Sequence, residues 1–181
     1  MKRLVLFLVV HFFAFSTLLS NIYGQENDEK IEFISKQINK SFGSFSIPAD
    51  WVEIAQYSRN GKYFYSHESE PIGLNMTNIS IELGSNPYAL EDQMTFRHAI
   101  LKQMLMQAEN AEVGGSGTFT ENDYPLYIFT IDDKEDNVTT IQFYIIGNKK
   151  HILVHVTDFH NENITNAKEV ARFIVDSFIW N

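Results

Sequence analysis

Five histidines follow residue 24, at His67, His98, His151, His155 and His160, in a chain that contains no cysteine. His155, Asp158 and His160 fall within six residues of one another. Two imidazoles and a carboxylate at that spacing could hold a metal ion or pass a proton, provided they converge on one point. They define one functional reading, a hydrolase or metal-dependent enzyme with its site near these three residues. His151 and His155 share a strand face but stand about 13 Å apart along it, too far to grip one zinc ion. The acidic turn Asp132–Asp136 could offer oxygens to calcium, yet it lacks the alternating acids and central glycine of the known loop, and a solvated hairpin tip is the simpler account. No Gly-X-Ser-X-Gly elbow occurs, and no order of serine, histidine and aspartate singles out a triad. Without cysteine, thiol, iron–sulfur and cysteine–zinc chemistry are excluded. No catalytic residue, metal ligand or cofactor-binding residue is assigned, and no cofactor is expected.

A second constellation is aromatic. Tyr57, Tyr63, Phe64 and Tyr65, with His67, flank Asn60-Gly61, a strong hairpin signal between Gln56-Tyr57-Ser58 and Lys62–Ser66. On a strand Tyr63 and Tyr65 point to the face opposite Phe64. If Phe64 is core, Tyr57, Tyr63, Tyr65 and His67 form an outward binding surface of the kind that protein partners use. Cover by a helix or by the N-terminal segment is the competing account, and Trp180 carries the same ambiguity.

These residues need elements to position them. Phe42 to Trp51 reads as a short apolar strand, with Phe45 and Ile47 on one face, stopped by Pro48 and followed by a turn that delivers Trp51 to the core. Ile31, Ile34 and Ile38 recur at spacings of three and four, so residues 28–40 read as a short amphipathic helix or as a linker. Val52–Ala55 extends as a strand. Leu74–Leu83 alternates at Thr77, Ile79, Ile81 and Leu83, and Gly84-Ser85-Asn86-Pro87 breaks it. The longest helix runs from Leu90 to Ala108, with Met94, Ile100, Leu101, Met104, Leu105 and Ala108 on its apolar face; the methionines read as core filler. Gly114-Gly115-Ser116-Gly117 has no Lys-Ser/Thr pair after it and reads as a loop. Strands Thr118–Glu121, Pro125–Ile131, Val138–Ile146 and His151–Thr157 follow, joined by links too short for parallel crossovers and therefore antiparallel. A helix from Thr165 to Phe178, capped by Asn163 or Thr165, presents Val170, Ala171, Phe173, Ile174 and Phe178.

Residues 1–24 are of a different kind. Lys2 and Arg3 precede an apolar run, Leu4–Leu19, then a polar stretch to Gly24, the order of a secretory signal peptide cleaved after Gly24. The run is shorter than the ~20 apolar residues that a membrane-spanning helix needs, so no span is expected after cleavage. The 181-residue chain carries a formal charge of −9, and loss of Lys2 and Arg3 leaves 12 basic against 23 acidic groups, about −11. That balance disfavours nucleic acid and anionic lipid as partners. Asn-X-Ser/Thr triplets at Asn39, Asn75, Asn78, Asn137 and Asn163 are read as chance in an Asn-rich chain. The lack of cysteine in an exported chain resembles a bacterial product.

The order of elements, with Phe45, Ile47, Pro48 and Trp51 in front, a strand-turn-strand from Tyr124 to Val156 and Phe173, Ile174, Ser177 and Phe178 at the end, resembles the PsbP-like fold. Extrinsic photosystem proteins and bacterial envelope proteins such as the DcrB-like group share it. The resemblance implies an α+β fold, an antiparallel sheet flanked by helices, over residues 42–181, after a signal peptide (1–24) and an N-terminal helix or linker (25–41). It also implies a non-catalytic exported module, periplasmic or extracellular, that binds or assembles with a protein or small ligand of the cell envelope.

Overall fold

A computed structural model of the chain describes residues 33–69, 72–73, 75–107, 112–134, 137–159 and 167–181. They form ten strands and two α-helices: β1 (Ser35–Lys40), β2 (Gly43–Pro48), β3 (Trp51–Glu53), β4 (Lys62–His67), β5 (Asn78–Ser85), α1 (Gln93–Gln107), β6 (Glu112–Phe119), β7 (Pro125–Asp133), β8 (Val138–Gly147), β9 (Lys150–Asp158), α2 (Ala167–Ser177) and β10 (Ile179–Trp180). Seven strands make one antiparallel sheet in the order β3-β4-β5-β9-β8-β7-β6, and a second sheet has the order β1-β2-β10. The α+β, PsbP-like architecture expected from the sequence is the one observed.

The strand period builds the layers. On one face of the large sheet Ile79 and Ile81 of β5, Val154 and Val156 of β9, and Ile141, Phe143 and Ile145 of β8 sit side by side in the ladder. They form the main core with Phe45, Ile47 and Trp51, and with Val170, Ala171, Ile174 and Val175 of α2. α2 touches β2 of the small sheet and β5, β8 and β9 of the large one, so it lies where the two sheets meet. On the other face α1 seats Phe96 and Met104 against Phe129, Tyr144 and Ile146.

Local chemistry sets the turns. Asn60 and Gly61 both take positive φ, 55° and 80°, as the twist of a two-residue hairpin requires. That turn joins β4 to β3, while Gln56–Ser58 forms a turn of its own instead of the expected strand.

Three expectations are corrected. Residues 28–32 of the expected helix lie outside the described residues, but its second half is strand: Ser35–Lys40 pairs residue for residue with β2, Ile38 opposite Phe45. A ladder partner outweighs a helical spacing of only three isoleucines. Gly114–Gly117 is not a loop but the middle of β6, each residue paired with β7. A Cβ on Gly115 or Gly117 would press on the rings of Phe129 or Tyr127, so these glycines accommodate rings that lean across the sheet. The helix expected from Leu90 begins as a 3₁₀ turn, Leu90–Asp92, and α1 leaves Met94 and Leu105 exposed. Its apolar arc is wider than the strip of sheet it covers.

The C-terminus closes the small sheet. Ile179 and Trp180 pair with Ser44 and Gly43, and the Asn181 side chain donates to the carbonyls of Lys40 and Ser41 at 3.0 and 3.2 Å. A Cβ at Gly43 would run into the Ile179 carbonyl and the Phe178 ring. Gly43→Ala is therefore expected to lower stability by about 1–3 kcal/mol through overpacking. Denaturant titration measures it, and faster hydrogen exchange at Ile179–Asn181 locates it.

Candidate functional site

The hairpin tyrosines do not form one outward face. Tyr63 and Tyr65 oppose Ile81 and Ile79 in the ladder, so they point at the core side of the sheet, and it is Phe64 that points away. Tyr65 is 1% exposed and its ring meets Phe45 edge-on at 6.0 Å. Its hydroxyl donates to Glu53 Oε2 at 3.5 Å; burial first, and Glu53 second, push its pKa well up. Tyr63 lies under the Lys40 ammonium, 3.7 Å from its ring centroid, and Lys40 reaches Glu53 at 2.9 Å. His67 is held at both nitrogens, by Ser69 at 2.6 Å and Asp50 at 3.3 Å. Only Tyr57 is exposed, edge-on to Phe64 at 6.2 Å. Lys40, Glu53, Tyr63 and Tyr65 thus tie β1, β3 and β4 together, which is a structural task.

His155 and Asp158 do not converge either. His155 pairs with Ser80 and Gln142 in the ladder and shares their face, whereas Asp158, three residues on, points to the opposite one. Asp158 accepts from the Thr77 hydroxyl at 3.4 Å. His160 lies outside the described residues. Among the described residues no three His, Asp or Glu side chains are placed to share a metal ion.

Two features take their place, both on the α1 side of the large sheet. The first is a polar row across its centre. From β4 to β7 it reads Phe64, Ser80, His155, Gln142 and Phe129, with Lys62, Glu82 and Tyr144 in the row beside it. Tyr144 donates to Gln142 Oε1 at 2.7 Å, and burial, with Glu82 adding to it, raises its pKa to about 12. Burial lowers His155 to about 4, helped by the Lys62 charge. His151 also sits at about 4, again through burial, offset in part by a hydrogen bond to the Ser85 backbone. Its ring is wedged 5.2 Å from both Phe96 and Tyr144, over Gly84, where a Cβ would collide with it. Both imidazoles are therefore neutral at pH 7, and Tyr144 is a hydrogen-bond donor.

The second feature is the outer edge of α1. Leu90 (48% exposed), Met94 (52%), Leu105 (58%) and Met106 (72%) project to solvent, with half-buried Leu101 between them. Leu90, Met94, Leu101 and Leu105 recur at intervals of four, seven and four, so they line one side of the helix. Sequence reasoning had assigned Met94 and Leu105 to the buried face. Glu91 at the start of the run and His98, Lys102 and Gln103 beside it are exposed as well.

The arrangement of layers and strands defines the protein as a PsbP-like fold. The solved structure of the cyanobacterial PsbP protein (CyanoP) of Synechocystis matches it with a TM-score of 0.56 at 12% identity, over 88% of this chain and 99% of that one. A structure from Bacteroides thetaiotaomicron matches 83% of this chain and 49% of its own at 13% identity, with a TM-score of 0.48. No family model and no curated protein matches the sequence. No helix among the described residues is long and apolar enough to cross a membrane.

Proposed function

We propose that the chain is an exported, non-catalytic module that binds a protein of the cell envelope, periplasmic or extracellular, through the outer edge of α1. The observation that carries this reading is the run of exposed apolar side chains, Leu90, Met94, Leu105 and Met106, on a helix whose other side already has its seat on the sheet. Large apolar groups in solvent gain free energy when a partner covers them; Leu90, Met94 and Leu105 follow one edge at the spacing a groove can accept, and Met106 lies about 100° round the helix from Leu105. Export rests on the order of residues 1–24, a basic start, an apolar run and a polar end. Tyr57, the exposed member of the hairpin aromatics, remains available as a lesser contact.

Met94→Glu/Leu105→Glu tests it. Both positions are exposed, so the melting temperature should move by no more than a few degrees. A protein retained by the wild-type chain from its native envelope fraction should bind the double variant at least tenfold more weakly, about 1.4 kcal/mol or more. Equal retention by both removes α1 from the reading, and turnover of any substrate with defined kinetics overturns the non-catalytic part.

A further inference from the structure

The described strands leave four sheet edges, and three of them are guarded. β10 has two residues and β3 has three, too short to template another strand. β1 carries Lys36 and Lys40, and lysines on an edge discourage pairing. β6 is different. It is eight residues long, ends the seven-stranded sheet, and among the described residues pairs only with β7. Seven of its eight residues are exposed. From Val113 to Phe119 it holds no charge and no proline, and its centre, Gly114-Gly115-Ser116-Gly117, has almost no side chain to keep another backbone away. Among the described residues its outward N–H and C=O groups have no strand partner along a ladder about 27 Å long; at its end the Phe119 carbonyl accepts from the Arg172 guanidinium at 3.5 Å.

We propose that this edge is the interface of a homodimer, β6 pairing antiparallel with β6 of a second copy across a two-fold axis beside Gly115 and Ser116. The two seven-stranded sheets then join into one of fourteen strands. Three observations favour a second copy over a strand from another protein. Antiparallel pairing about a two-fold satisfies both edges at once and leaves no open end to propagate. In this register Glu112 faces Phe119 of the other copy, so no like charges oppose one another. In a chain of net charge −9, β6 is a stretch where two copies can meet without opposed carboxylates, and it gives a charged foreign strand nothing to pair with beyond Glu112. The interface is made by the backbone edge of β6, against which α1 packs, and not by the exposed side chains of α1, so it does not depend on the function proposed above.

Expressed as the full chain and purified as the host processes it, the protein is expected to shift reversibly from one to two chain masses with concentration in sedimentation velocity. Amides of Glu112–Phe119 should exchange more slowly as the dimer fills. Ser116→Lys/Thr118→Lys places ammonium groups beside the axis at exposed positions, and should raise the dissociation constant at least about tenfold while leaving the melting temperature of the monomer unchanged. A chain that stays monomeric at every concentration, including one whose β6 is slowed only by another protein's strand, overturns the proposal. So does a dimer that the lysines do not weaken.

Discussion

Trp51→Ala will cost about 3–5 kcal/mol, the cost of emptying a large core site that cannot fully collapse. Trp51 has no exposed surface, and it follows directly on the Pro48 corner that ends β2. Its strand, β3, has only three residues, paired with Glu53 opposite Tyr65 and Trp51 opposite His67. Glu53 ties that edge to Lys40 and Tyr65 by polar contacts and the indole is its apolar anchor, so loss of the ring removes both a filler and the apolar attachment of β3. Total stability of a domain of this size is about 5–15 kcal/mol, so the variant will be marginal at 37 °C. Trp51→Phe distinguishes the two roles. Trp51 Nε1 is buried with no hydrogen-bond partner among the described residues, so the indole carries an unpaired donor that phenylalanine lacks. The phenylalanine variant should therefore lose less than half of what alanine loses. Denaturant titration of both variants measures the difference; a loss below about 1 kcal/mol for alanine would mean that the indole is not a core residue in solution.

How much of this was legible in the sequence depends on which question the residues answer locally. Short connections dictate antiparallel neighbours, so the meander of β7, β8 and β9 could be read directly; Asn148-Lys149 leaves no room for any other return. The two-residue period placed Tyr63 and Tyr65 on one face and Phe64 on the other, correctly, but period alone says nothing about which face meets the core. That was decided by Ile79 and Ile81, a strand away, and by Phe45, in another sheet. Similarly, Ile34 and Ile38 fit a helix until β2 offers Ser35–Lys40 a ladder. The glycines of β6 suggest a loop until Phe129 and Tyr127 of β7 occupy the space above them. For α1, the apolar pattern fixed the helix but not its depth, since the sheet beneath it supplies a seat for Phe96 and Met104 and none for Met94 or Leu105. The one candidate site that could have been rejected beforehand is His155 with Asp158. Residues three apart on a strand face opposite ways, and no tertiary contact is needed to know it.

Acid will unfold the chain through two histidines that the fold holds neutral. His151 and His155 both sit at about 4, against 6.5 for a free imidazole, because burial penalises the charged ring. Above pH 6.5 neither the folded nor the unfolded chain protonates them, so they leave stability untouched. Between 6.5 and 4 the unfolded chain takes up the protons and the folded chain does not, so stability falls with pH, by about 1.4 kcal/mol per unit for each histidine. At pH 5 that is about 2 kcal/mol each, and near pH 4 the loss stops growing at about 3 kcal/mol each. The groups facing His155 do not rescue its charged form: Lys62 opposes it, and Glu82 is engaged with Lys62 at 3.8 Å. His151 is the support on which Phe96 seats α1, so hydrogen exchange in α1 should quicken before global unfolding does. Free carboxylates titrate mostly below this window, so a comparison at pH 7 and 5 isolates the imidazoles. His151→Gln/His155→Gln will start less stable at pH 7 because its side chains pack less well, yet lose about 4 kcal/mol less on going to pH 5. If the wild type and the double variant lose the same amount, the two rings are not desolvated in solution, and the seat of α1 on the sheet is looser than Phe96, Tyr144 and His151 place it.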